Sequence, residues 1–154
     1  MRQSALLGAA LAAAVAGLLP AGGPASAREV FEGPVRARIE RVVDGDTIAV
    51  RARIWIGQEI AVMVRVRGID APEARGACGA ERALAGRATA LLAAATGTGD
   101  VTLTNITGDK YFGRVLATVT TAEGRDVAAA LLAAGLARPY QGEARIAWCP
   151  GAVE

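Results

Sequence analysis

Two short acidic segments are the first residues in this chain whose types and spacing suggest chemistry. Asp44-Gly45-Asp46-Thr47 and Asp70-Ala71-Pro72-Glu73 each set carboxylates beside a turn-forming residue. Singly, each has a plainer meaning: Asp-Gly between apolar runs is a hairpin signal, and an acidic loop is ordinarily solvated. The first segment is not an EF-hand loop, because Ile48 stands where a third oxygen ligand belongs and no Glu closes the loop. Together the two segments offer more. Pro72 biases Ala71 towards an extended conformation that exposes its carbonyl. That carbonyl and the carboxylates of Asp46 and Asp70 are hard oxygen donors, the set that Ca²⁺ takes at about 2.3–2.6 Å. Arg65 precedes Asp70 in the same apolar-alternating run, and Arg114 follows the Asp109-Lys110-Tyr111-Phe112-Gly113 turn. Both arginines read equally well as surface charges.

The chain has no histidine. Serine–histidine hydrolases, histidine-metal sites and nucleases with a histidine base are therefore excluded, and a catalytic cysteine lacks the partner that would activate its thiolate. Carboxylates, arginine, hydroxyls and a hard metal ion remain as the available chemistry.

Residues 1–27 differ from the rest. Arg2 supplies a positive start, Ala5 to Leu19 is an apolar run, and Ala25-Ser26-Ala27 offers small residues at a cleavage site. These features predict a signal peptide removed after Ala27 and a periplasmic or secreted protein. The apolar run falls short of the roughly 20 residues of a spanning helix, and Pro20 with Gly22-Gly23 interrupts it. The expected mature chain, residues 28–154, suits one domain with a single core. It carries 16 basic residues against 15 acidic ones, so any attraction for a polyanion must come from local placement of charge. Two cysteines, Cys78 and Cys149, favour a disulfide in an exported chain, with free thiols as the alternative.

The elements that must position these residues are legible from periodicity. Val35, Ala37 and Ile39 alternate with Arg36, Arg38 and Glu40, as a half-buried strand requires. Ile48, Val50, Ala52, Ile54 and Ile56 continue the pattern in a second run, and Ile60, Val62, Val64 and Val66 in a third. Asp44-Gly45 and Gly57-Gln58 fit two-residue hairpin turns between them. Leu84, Ala88, Leu91, Leu92 and Ala95 form an amphipathic helical stripe. Val101 to Ile106 and Arg114 to Thr121 are β-rich, and Asp126 is placed to cap a short helix that Gly135 closes. The tail from Arg138 shows no period. The order β-β-β-α-β-β-α predicts an OB-fold, a five-stranded β-barrel with helices in the α+β class; a two-layer α+β sheet is the alternative.

Four segments in register carry a resemblance. Val43-Asp44-Gly45-Asp46-Thr47, Arg65-Val66-Arg67-Gly68-Ile69-Asp70-Ala71-Pro72-Glu73, Asp109-Lys110-Tyr111-Phe112-Gly113-Arg114-Val115-Leu116-Ala117 and Gly135-Leu136-Ala137-Arg138 resemble the staphylococcal nuclease (thermonuclease) family. The resemblance implies an OB-type barrel that uses Ca²⁺ to hydrolyse DNA and RNA. It implies Asp46 and Asp70 as metal carboxylates beside the Ala71 carbonyl, Arg65 and Arg114 as a phosphate-binding pair, and Glu73 as the candidate general base. It also implies Lys110 and Tyr111 as nucleotide contacts. Tyr140 is placed either to stack on a base or to pack under the tail. Phe112 lengthens the turn before Arg114 by one residue relative to the type member, and Ala71 replaces a threonine. The expected partner is nucleic acid, with no membrane once the leader is removed and a monomer as the working unit. A non-catalytic nucleic-acid-binding barrel is the competing reading, but it has no use for Arg65, Glu73 and Arg114 beside two metal acids. A structural calcium module would leave both arginines idle.

Overall fold

The computed structural model describes residues 29–149. The expected leader, with its cleavage site, lies outside them. Eight strands and two helices follow in the order β1 (Val30–Phe31), β2 (Val35–Val42), β3 (Thr47–Trp55), β4 (Gln58–Val66), β5 (Ile69–Asp70), α1 (Gly79–Thr96), β6 (Asp100–Gly108), β7 (Arg114–Thr121), α2 (Val127–Ala133) and β8 (Arg138–Pro139). Five of the strands close a barrel in the order β6-β2-β3-β4-β7, with β7 returning to β6. Only β4 and β7 run parallel. Closure leaves these five strands without a free edge, the main liability of a small sheet. The fold is the OB-type barrel that the strand order predicted, with α1 between the third and fourth long strands.

The alternating residues do what their period requires. Ile48, Val50, Val64, Val66, Val101, Leu103, Ala117 and Val119 are buried inside the barrel. Leu92 of α1 and Val127 and Leu131 of α2 join the same core. Asp126 caps α2 as expected, accepting a hydrogen bond from the Ala129 amide at 3.1 Å. Alanine favours the helix intrinsically, and in α1 it also permits close approach. A Cβ on Gly45 would lie 2.7 Å from the Ala88 Cβ and 2.8 Å from that of Ala71. The loop after β2, the loop after β5 and helix α1 therefore meet at one point where only glycine fits.

The structure corrects the turns. Asp44-Gly45 is not a two-residue hairpin turn: Val43 to Asp46 form a wider loop, the Val43 and Asp44 amides both donate to the Thr47 carbonyl, and Gly45 is not at positive φ. Its glycine answers to packing. The second turn falls at Ile56-Gly57, one residue earlier than expected, with Gly57 at φ 70°. Ile54 and Ile56 do not join the core as their phase suggested. The β2–β3 pairing begins at Ala37↔Ala52, so residues beyond Ala52 pair with β4 alone and overhang the barrel. Trp55 at 69% and Ile56 at 88% exposure stand at the end of that overhang.

Two short strands unforeseen in the sequence bear on the site. β5 and β8 pair antiparallel, with Ile69 opposite Pro139 and Asp70 opposite Arg138. The acidic segment is thereby tied to the start of the C-terminal tail. A disulfide between Cys78 and Cys149 ties the other end of that tail to the residue before α1.

Candidate active site

The site is built where β3, β4 and β5 converge. Thr47 pairs with Arg65 in the β3–β4 ladder, so Asp46 arrives beside Arg65. Arg65 Nη1 donates to Asp46 Oδ1 at 2.9 Å, and Nη2 donates to Asp70 Oδ1 at 3.2 Å and to the Ile69 carbonyl at 3.4 Å. Asp46 also accepts from the Thr47 hydroxyl at 2.9 Å and from the Ala71 amide at 3.2 Å. Both aspartates are buried, and the Arg65 side chain is only 12% exposed. The two acidic segments thus meet across a single guanidinium.

Burial pushes the Asp46 carboxyl up to about 6, against the opposing pull of Arg65, and the Asp44 carboxylate beside it pushes the same way. The carboxylates of Asp46 and Asp70 and the neighbouring Ala71 carbonyl are hard oxygen donors brought to one point, a set that fits a hard divalent cation.

A cleft of about 530 Å³ opens above these carboxylates. Arg65, Glu73, Lys110, Tyr111, Arg114 and Tyr140 all line it. Arg114 pairs with Met63 and Leu116 with Arg65 in the parallel β4–β7 ladder, which sets the two arginines on one face, two residue pairs apart. Arg114 forms an ion pair with Asp109 through Nε and lies over the Tyr111 ring, 4.6 Å from its centroid. Burial pushes the Asp109 carboxyl up, but the Lys110 amide and Arg114 outweigh it and hold the group below its usual range. Phe112, the extra residue of this turn, points wholly into solvent. The insertion is extruded and leaves Arg114 on the strand.

Three residues that the sequence reading did not single out shape the site. Arg145, in the aperiodic tail, bonds Glu73 Oε1 through Nη1 at 2.6 Å and pairs with Asp70 Oδ1 through Nη2 at 2.7 Å. Trp148 donates to Asp70 Oδ2 at 3.4 Å while its ring packs 3.9 Å from the Arg138 guanidinium. Glu81, buried in the first turn of α1, accepts from the Glu73 amide at 3.3 Å and the Ala77 amide at 3.0 Å. It organises the loop that carries Glu73. An acid in a first helical turn is the one signal that could have found Glu81; an arginine four residues before a cysteine offers no comparable signal for Arg145. Cys78, Glu81 and Cys149 lie together, but both sulfurs are spent in the disulfide and the cluster is no metal site. Arg67, which shares the phase of Arg65, has a different duty: it donates to the Asn105 and Leu116 carbonyls and to Thr107 Oγ1, stapling the irregular stretch of β6.

The model of the family described as Staphylococcal nuclease homologue matches residues 63–147, more than half of the chain. The chain belongs to the staphylococcal nuclease family. A comparison with curated proteins returned no match. The matched span holds Arg65, Asp70, Glu73, Lys110, Tyr111, Arg114 and Tyr140, while Asp46 lies ahead of it. Family membership makes this a nuclease-type barrel whose substrate class is nucleic acid and whose relatives typically depend on a metal.

Proposed function

We propose that the protein is a Ca²⁺-dependent nuclease that hydrolyses phosphodiester bonds of DNA or RNA in the cleft between β4, β7 and the C-terminal tail. The observation that carries this reading is the convergence of Arg65, Glu73 and Arg114 on one cleft, over the buried Asp46 and Asp70. Asp46, Asp70 and the Ala71 carbonyl would hold the cation, which supplies charge neutralisation at a phosphoryl oxygen.

The protein's own groups do the rest. Among the described residues the Nε–H of Arg65 makes no hydrogen bond, and neither do the Nη groups of Arg114. Those donors can take two phosphoryl oxygens, and a planar guanidinium presents them in the geometry that a lysine lacks. Glu73 is exposed to the cleft and accepts the proton of a water as its oxygen bonds to phosphorus; the bond to the leaving oxygen breaks on the opposite side. Lys110, Tyr111 and Tyr140 line the path of the flanking nucleotides, where cationic and aromatic groups hold a single strand without reading its sequence. We infer export from the leader composition together with a disulfide, a single domain over residues 28–154, and action as a monomer.

The test is cleavage of single-stranded DNA and RNA by mature protein with Ca²⁺, with chelator, and by Glu73→Gln. Cleavage is expected with Ca²⁺ and lost with chelator, and Glu73→Gln should lower kcat by roughly 10²–10⁴-fold. Undiminished cleavage in chelator sinks the metal reading. Binding without cleavage under every condition would instead mark a non-catalytic barrel.

A further inference from the structure

Each oxygen of the two metal-type carboxylates accepts at least one bond. Asp46 is filled by Arg65, Thr47 and the Ala71 amide. Asp70 Oδ1 is shared by Arg65 and Arg145, and Oδ2 accepts from Trp148. A cation reaching Asp70 Oδ1 therefore competes with a guanidinium already on that oxygen. The candidates are unequal. Arg65 is enclosed, with a side chain 12% exposed, whereas the Arg145 side chain is 39% exposed and comes from a segment without regular structure. Arg145 is also the donor whose fork spans Asp70 and Glu73 at once.

What keeps Arg145 there is the tail. Upstream, β8 pairs with β5, and Arg138 donates to the Ile146 and Ala147 carbonyls at 3.1 Å each. Downstream, Cys149 is bonded to Cys78. Arg145 sits between these two anchors, four residues from the covalent one, so the bridge raises its effective concentration at the carboxylates.

We propose that Arg145 is a third functional guanidinium of this site, a positioning residue that holds Asp70 and Glu73 together and competes with Ca²⁺ for Asp70, with the Cys78–Cys149 disulfide setting how strongly it competes. The inference rests on the reading of Asp46 and Asp70 as the calcium carboxylates. Two cations cannot share one carboxylate oxygen without mutual repulsion, so removing one strengthens the binding of the other.

The test is calorimetric titration of Ca²⁺ into wild type, Arg145→Ala, Cys78→Ser/Cys149→Ser and the combined triple variant, each confirmed folded by its melting transition. Arg145→Ala is expected to bind Ca²⁺ roughly two- to fivefold more tightly, the scale of a partly exposed ion pair. Loss of the disulfide should tighten binding in wild type and have no effect once Arg145 is gone. Should the cysteine variants not fold, the comparison of wild type with Arg145→Ala decides alone, with Arg145→Gln as its replacement. Equal or weaker affinity in Arg145→Ala overturns this inference and leaves the calcium reading standing. Absence of Ca²⁺ binding in all variants overturns both.

Discussion

Arg65 has two obligations that pull in different directions. It must neutralise two buried carboxylates, and it must keep a donor free for substrate. Arg65→Ala removes both functions: the rate should fall about 10²–10³-fold, as for loss of a donor aimed at developing charge. Stability should fall by about 3–5 kcal/mol, because Asp46 and Asp70 lose a common buried partner. Arg65→Lys should recover stability better than rate, since a lysine keeps the charge without the fork. Single-turnover cleavage and denaturant melts on the same preparations separate the two effects. At this scale the sequence was partly legible. Asp46, Asp70, Glu73, Arg65 and Arg114 drew attention as types that chemistry needs, and order along the chain made them one set. Glu81 and Arg145 were hidden because their meaning lies in partners eight and more than seventy residues away, and no period or turn chemistry marks such a contact.

Among the elements, the loop between β2 and β3 depends most on a single backbone position. Gly45 is wedged against Ala88 and Ala71, each of them a Cβ with no flexible end to move. Gly45→Ala should therefore cost about 1–3 kcal/mol through overpacking. It should also shift Asp46, so Ca²⁺ affinity falls more than the melting temperature alone would suggest; calorimetry beside thermal melts reads the difference. The long strands and both helices were legible because their alternation and stripe report burial directly. The short pairs β1–β6 and β5–β8 were not, since two residues carry no period. Ile54 and Ile56 misled for a related reason: period two tells which residues share a face, but not where the neighbouring strand stops covering it.

For the molecule as a whole, near-balanced charge conceals a local gathering of basic groups, interleaved in the cleft with Asp44, Glu73 and Asp109. Arg65, Lys110, Arg114 and Arg145 line one cleft, with Arg67 at its wall. Affinity for single-stranded DNA, measured by fluorescence anisotropy with an inactive Glu73→Gln variant, should fall with salt along a log–log slope of about −2 to −3. That slope corresponds to three or four neutralised phosphates on a single strand. A slope near zero would mean that the cleft arginines are spent on their internal partners. The disulfide has one further consequence. Cys78 and Cys149 close a covalent ring that contains α1, β6, β7, α2 and β8, and the only lysine in the chain, Lys110, sits within it on an exposed turn. A lysine-specific protease thus has a single cut to make, and the cut opens the ring without separating the pieces. The nicked protein should migrate as one species until a thiol reductant is added and then as two, so that the barrel can be studied with its substrate-side turn severed and everything else still attached.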